Sequence, residues 1–418
     1  MRELLRIPVF RRLLAAFALN ELAWSVGTLA LAVLVYRRTG SALGSTGFFL
    51  CSQVVPAVLS PPLVARLDRM PPARVLPAMY ALEAVLFGVL GWMTSRFALV
   101  PVLALALADG VVASAARSLA WTARAQVLKP LDLLHEGNAV TYGAFSVCYM
   151  GGPLIGGAVV AAGGTIAALL ANSAFFAVMA VVLATGALPR AVPEGGPSSG
   201  RLRAALAHVR SNDWIERLLM LQCIGLVFFA ISTPVEVVFA QHTLHAGAGG
   251  YGVLMSCWGA GAVVGSAAYA RWSRRSAAAL IAVSAGCLGL GFAVMAVAPT
   301  LWVAVIGAAL GGSGNAIELV AARTVIQERT PEEWMAILMS LVDVIIQLAP
   351  GLGILLGGVI TTLTNPRLAF AIAAAGSFCF AGTVFAVLRP SQTSAPGAGG
   401  DQDSSGMSSR SQGSGSLV

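Results

Sequence analysis

Residues 13–35 read LLAAFALNELAWSVGTLALAVLV, an apolar run with a glutamate, Glu21, near its middle. In a soluble protein such a run would be one face of a buried helix. In a membrane protein it would be a complete crossing, and the glutamate would need a purpose. Composition separates the two. The chain is 57% hydrophobic and only 11% charged, against about 25% charged in an ordinary soluble domain.

Runs of the same kind recur along the chain. Twelve are recognisable, at roughly 13–35, 43–65, 74–94, 98–120, 138–162, 165–188, 217–240, 250–270, 277–298, 301–322, 335–362 and 368–388. About twenty apolar residues suffice to cross the hydrocarbon core as a helix. With no water there to satisfy backbone groups, such segments must bond internally, so helices are expected throughout. The predicted fold is an all-α membrane protein of twelve transmembrane helices. The first run is too long for a signal-peptide core and ends in no A-x-A-like site, so it reads as the first span.

Charge orients the chain. With the N-terminus in the cytoplasm, twenty of the twenty-six basic residues fall inside. Arg37, Arg38, Arg96 and Arg367 fall outside, and Arg117 and Arg217 lie within or at the edge of helices. This bias predicts that both termini are cytoplasmic. It also accounts for the net charge of +8 without a nucleic-acid partner. The excess of arginine over lysine, 25 to 1, points to a GC-rich bacterial genome, hence to a bacterial cytoplasmic membrane.

Several chemistries are not encoded. The six cysteines stand singly in apolar runs without C-x-x-C spacing and read as packing residues. The four histidines have no metal-ligand spacing. Residues 247–252 fit G-x-G-x-x-G but follow no strand, and residues 196–200 fit G-x-S-x-G without a strand–turn–helix context. No Walker lysine motif occurs. No enzyme, cofactor or metal is expected.

The chain divides into 1–188, a hydrophilic linker 189–216 with a short amphipathic helix, 217–390, and a tail 391–418 too poor in apolar residues to fold. The two large parts repeat each other. Gln126 and Gln327, Pro130 and Pro331, Gly156 and Gly357, and Gly157 and Gly358 are each 201 residues apart. Arg12-Leu13-Leu14 and Arg217-Leu218-Leu219 add a match at 205. Two six-helix pseudo-repeats with a cytoplasmic connection are a transporter architecture, in which substrate sites lie near the midplane between repeats.

Two segments carry a family resemblance. Between the second and third runs the chain reads VARLDRMPPARVL (64–76), and the fifth run contains GGPLIGG (151–157). The chain resembles the major facilitator superfamily, and within it the third drug:proton antiporter branch of macrolide, lipophilic-drug and siderophore exporters. In the first segment Asp68, Arg69 and Arg74 match the family's conformational loop, while Val64 replaces a glycine and Pro71-Pro72 interrupt the basic run. The equivalent loop of the second half, YARWSRRS (269–276), has no aspartate. In the second segment Gly152, Pro153, Gly156 and Gly157 match the antiporter motif G-P-x-x-G-G, with Cys148 where the family has a further glycine. Glycines allow close helix approach and the proline loosens the helix, which suits a rocking interface. The resemblance implies the major facilitator fold, with the first, fourth, seventh and tenth spans lining a central cavity, and a functional monomer.

Glu21, Asp109, Arg117, Glu236 and Glu318 fall on those four spans, and Asp343 on the eleventh can also face the centre. At 1.5 Å per residue Glu21 lies about 12 Å into its helix and Asp109 about 16 Å, both near the middle of a core about 30 Å thick. Charges there are costly and usually mark a pathway. Glu21 has no basic residue near it in sequence, and it is expected to carry a coupling proton, with Asp109 as second site or relay. Arg117 and Glu318, 201 residues apart, are candidates, with Asp343, for the coupling cavity, and equally for a buried ion pair that only holds helices together. Glu236, after Pro234, is expected at the outer interface. Glu83, on the third span, fits no cavity role. Asn20, Trp24, Trp121, Phe228 and Phe229 are candidates for substrate contact.

The leading expectation is a proton-coupled exporter of lipophilic or amphipathic small molecules. A nutrient symporter or uniporter is disfavoured by G-P-x-x-G-G and by the scarcity of polar cavity residues. A non-transporting scaffold or sensor of the same fold is disfavoured by the central acids.

Overall fold

The computed structural model describes residues 6–67, 69–131, 133–185, 213–272, 277–329, 342 and 344–387. Asp68, Asp343, Pro331, the linker up to residue 212 and the tail lie outside the described residues, as does the Gln327 side chain.

Eleven helices among the described residues are long and apolar enough to cross a membrane. In chain order they are α1 (Pro8–Thr39), α2 (Ala42–Leu67), α3 (Pro72–Met93), α4 (Leu99–Leu128), α5 (Leu134–Ala184), α6 (Leu219–Thr243), α7 (Gly247–Trp272), α8 (Ala277–Val297), α9 (Leu301–Arg329), α10 (Val344–Leu363) and α11 (Pro366–Val387). No strand occurs among the described residues. α5 accounts for the difference from twelve. Its 51 residues would extend about 76 Å as a straight rod, more than twice the hydrocarbon thickness. The rod is broken at Gly164, whose φ of 76° and ψ of 176° belong to neither helix nor ordinary strand. Only glycine adopts such a backbone readily. The two limbs of α5 are the fifth and sixth crossings, and the break falls where the sequence separates 138–162 from 165–188.

Local signals set the other helix ends. α1 stops at Gly40, which takes φ 60° and donates its N–H to the Tyr36 carbonyl at 2.8 Å, a left-handed cap. Ser41 then caps α2 by accepting from the Gly44 N–H. Asn365 Oδ1 accepts from Leu368 N–H at the start of α11. α2 contains a π-helical turn over Leu50–Val54, a local widening that sits beside the cavities described below.

Many large apolar side chains are exposed on the outside of the bundle, including Val100, Trp302 and Leu363. On a soluble protein this would be an aggregation hazard. On this chain it is a lipid-facing surface, consistent with a multi-pass membrane protein.

The sequence repeat reappears as repeated packing. A side chain at Gly156 would lie 3.1 Å from Val26 Cα on α1, and its counterpart Gly357 is seated against the Ile231 backbone on α6. Gly152 and Gly353, also 201 apart, abut Ser25 on α1 and Val227 on α6. Gly157 faces the other half, its would-be Cβ 3.0 Å from Gly252 Cα on α7, and Gly358 is likewise seated against Thr46 on α2. Each motif thus holds its own half with one glycine and grips the opposite half with the next. All these contacts that cross between halves lie toward the end where α1 turns into α2 and α6 into α7. Arg37 Nε donates to Gln241 Oε1 across the same end at 3.3 Å.

Candidate functional site

Two neighbouring cavities lie between the helices. The larger, about 560 Å³, is lined by α1 (Asn20, Trp24, Thr28), α2 (Ser52, Gln53, Pro56), α3 (Phe87), α4 (Asp109, Ser114, Arg117, Trp121), the second limb of α5 (Phe176) and α10 (Ile346, Gln347). Most of its wall belongs to the N-terminal half, with α10 supplying the C-terminal side. The smaller, about 210 Å³, lies across the interface of the halves. Its wall comes from α1, α2, α5 (Tyr149, Pro153), α6 (Phe229, Ser232, Thr233, Glu236) and α7 (Tyr251, Met255, Trp258). Trp24, Thr28 and Gln53 line both and form the partition between them.

Glu21 is buried, 4% exposed, and it is not without a base. Arg117 Nε lies 3.5 Å from Glu21 Oε1. The expected Arg117–Glu318 pair is therefore replaced by one inside the N-terminal half. The reason is geometric. α1 and α4 run antiparallel, so the end of α4 comes beside the early turns of α1, and a long arginine side chain spans the rest. The Arg117 guanidinium also lies 5.7 Å from the Trp24 ring centroid, so one cation serves a carboxylate and an aromatic face. Arg124, about two turns further along α4, lies over both the Phe17 ring at 4.4 Å and the Trp121 ring at 4.1 Å.

Asp109 borders the larger cavity, and its Oδ1 is buried with no hydrogen-bond partner. The adjacent Gly110 lets α2 reach this point, since a Cβ there would lie 2.6 Å from Ser52 O and from Pro56 Cγ. Behind the cavity wall Glu83 is completely buried, and neither of its carboxyl oxygens has a hydrogen-bond partner. Asp109 and Arg117 lie within electrostatic reach of it. α3 is peripheral, but its Tyr80–Glu83–Phe87 face points into the N-terminal half, where Phe176 stacks on Tyr80 and Phe87. Placing a helix at the periphery says nothing of which face it turns inward, and that is why Glu83 had no place in the sequence reading.

The other candidates separate. Asn20, Trp24 and Trp121 line the larger cavity, and Trp24 and Phe229 the smaller. Phe228 lines neither; it packs against Gly376 on α11, because consecutive helical residues point about 100° apart. Glu318 lies beside Gly225 on α6, its Oε1 3.4 Å from where a Cβ would be. Pro153 borders the smaller cavity, while Gly152, Gly156 and Gly157 form the contacts described above. Arg69 and Arg74 are exposed at the α2–α3 connection. Glu236, expected at the outer interface, is turned into the bundle. It is 6% exposed and lines the smaller cavity, with the Tyr149 and Tyr251 phenols within electrostatic reach. Tyr149, Tyr251, Trp258, Gln53 and Gln347 were not singled out in the sequence, where an aromatic or a glutamine in an apolar run carries no mark of the face it occupies.

A family model described as the Major Facilitator Superfamily matches residues 218–412. No curated protein matches the chain. Among solved structures, the nucleoside transporter NupG superposes with a TM-score of 0.75 at 14% identity, covering 92% of this chain and 100% of that one. A bacterial homologue of the iron transporter ferroportin, in an inward-facing state, gives 0.70 at 14% identity, covering 90% and 98%. The human organic anion transporter MFSD10 (TETRAN) gives 0.60 at 18% identity, also covering 90% and 98%. At such identities the likeness concerns the fold. The chain has the all-α fold of the major facilitator superfamily.

Proposed function

We propose that this chain is a secondary active transporter that exports lipophilic or amphipathic small molecules from a bacterial cytoplasm in exchange for protons. The observation that carries the reading is Asp109: a mid-membrane carboxyl on the wall of a 560 Å³ cavity, with a buried oxygen that nothing bonds. A cavity of that size is in the range that accepts drug-sized ligands. Burial favours the neutral form of a carboxyl, and water or a ligand entering the cavity favours the charged one, so access and protonation can be linked there. Glu21, held by Arg117, serves in this reading to fix α1 against α4 and to keep the arginine beside Trp24. The glycine contacts between halves supply the interface about which the halves rock, at the end that the basic-residue bias assigns to the outside. The match of the family model to the C-terminal half and the fold shared with known transporters support transport as such. The G-P-x-x-G-G segment supports the export direction. The family resemblance favours a monomer, and the basic-residue bias favours both termini in the cytoplasm.

The test is accumulation in cells with and without the protein, using ethidium, a macrolide and a ferric siderophore, each with and without a protonophore. Lower accumulation of at least one compound, abolished by the protonophore, is expected. Equal accumulation of every compound would remove the export reading, and raised accumulation would favour a symporter.

A further inference from the structure

We propose that the smaller cavity is the seat of an organic cation, whose ammonium group rests against Glu236 among the rings of Tyr149, Phe229, Tyr251 and Trp258. The inference deepens the transporter reading by naming the substrate class, and it rests on that reading for the cavity's purpose. Glu236 is 94% buried by its 6% exposure, and it lines the cavity. No ion pair engages it among the described residues, and no arginine, lysine or histidine lines the same wall. The neutral Ser232 hydroxyl hydrogen-bonds to it but supplies no countercharge, so a carboxylate so enclosed still calls for a proton or a cationic guest.

The wall decides between guests. Four aromatic residues from three helices line the same wall as the carboxyl, and Phe229 and Trp258 are in tilted contact at 5.8 Å between centroids. Aromatic faces attract a desolvated cation and are the usual lining for quaternary ammonium groups. An anion would meet the same rings and a repelling carboxylate. At about 210 Å³ the cavity is smaller than a drug-sized site, so it suits a small cation or the charged end of a larger one. Its partition from the larger cavity is a single layer of three side chains, Trp24, Thr28 and Gln53, so an apolar body attached to the ammonium has room beyond it. The site takes residues from both halves, so a cation held there bridges α5, α6 and α7.

The probe is benzyltrimethylammonium, whose charge does not depend on pH, and its anionic counterpart of similar size, phenylacetate. Binding to the full chain in lipid nanodiscs is followed by tryptophan fluorescence and by displacement of the radiolabelled cation. Saturable binding of benzyltrimethylammonium is expected, with phenylacetate failing to compete. Glu236→Gln should weaken the cation at least tenfold and Glu236→Asp much less, with both variants matching the parent in elution and melting temperature. Lowering the pH should weaken binding to the parent, because proton and cation compete for one carboxylate, and should leave Glu236→Gln unchanged; Tyr149 and Tyr251, the other titratable groups facing Glu236, stay neutral over that range. Equal binding of phenylacetate, no saturable cation binding, or undiminished affinity in Glu236→Gln would each overturn the proposal. If the Glu236 variants do not fold, the comparison of the two ligands on the parent decides it. Cation binding without transport of any compound would keep the site and reject the exporter, whereas export without cation binding would do the reverse.

Discussion

Arg117 on α4 and Glu21 on α1 approach to 3.5 Å, joining the first and fourth crossings within the N-terminal half. The contact is an ion pair by distance only, since the Arg117 Nε is buried without a hydrogen bond of good geometry. Arg117 is also 37% exposed, which weakens the attraction by screening. A double-mutant cycle of Glu21→Gln and Arg117→Gln, read by unfolding in nanodiscs, should give a coupling on the order of 0.5–1 kcal/mol. Strict additivity of the two single changes would show that the approach has no energetic content.

Asp109 stands differently, because no base pairs with it among the described residues. Asp109→Asn keeps size and hydrogen bonding but cannot exchange a proton. It is expected to abolish accumulation of substrate against a gradient by a pH difference in proteoliposomes, while downhill exchange of substrate persists. Asp109→Glu should retain part of the coupling. Full pH-driven accumulation by Asp109→Asn would move the proton to another carboxyl.

The Gly157–Gly252 contact is a place where bulk cannot be absorbed, because what a new Cβ meets is backbone on both sides. Gly157→Leu should insert normally yet lose transport by an order of magnitude or more, since the halves can no longer meet at that end. Gly156→Leu, pressing on Val26 of its own half, should act chiefly through lowered stability. Normal transport by a well-expressed Gly157→Leu protein would show that this interface need not close.

Glu83 is a cost to the fold. A buried carboxyl with neither oxygen bonded loses its hydration without return, typically about 1–3 kcal/mol. Glu83→Leu, of similar volume, should raise the melting temperature. A fall in melting temperature would mean that the carboxyl has a stabilising partner among the neighbouring charges, Arg117 first among them.

Orientation is open to direct labelling. In a background freed of native cysteines, Ser41→Cys should react with an impermeant thiol reagent added to intact cells, and a cysteine at residue 200 should not. The opposite pattern would invert the topology.

The sequence by itself determined the number of crossings, the class of fold and the two-fold repeat, because each rests on properties that read along one dimension. Span length follows from membrane thickness, and the 201-residue spacing of Gly156 and Gly357 survives any arrangement of the helices. Even the break between the fifth and sixth crossings was legible, since Gly163-Gly164 interrupts an otherwise apolar stretch. Which side chains meet was decided only in three dimensions. An apolar helix in lipid has little amphipathic pattern to mark its inner face, so nothing along the chain distinguishes Phe229, in a cavity, from Phe228, against α11. Nor does spacing along the chain say which of two acids an arginine will reach. Equivalent positions in two repeats suggested Glu318 for Arg117, and the antiparallel neighbourhood of α1 and α4 supplied Glu21 instead. Glu236 was hidden for the same reason: its distance along the helix placed it near an edge, but the rotation of α6 turned it inward, toward Tyr149 and Tyr251.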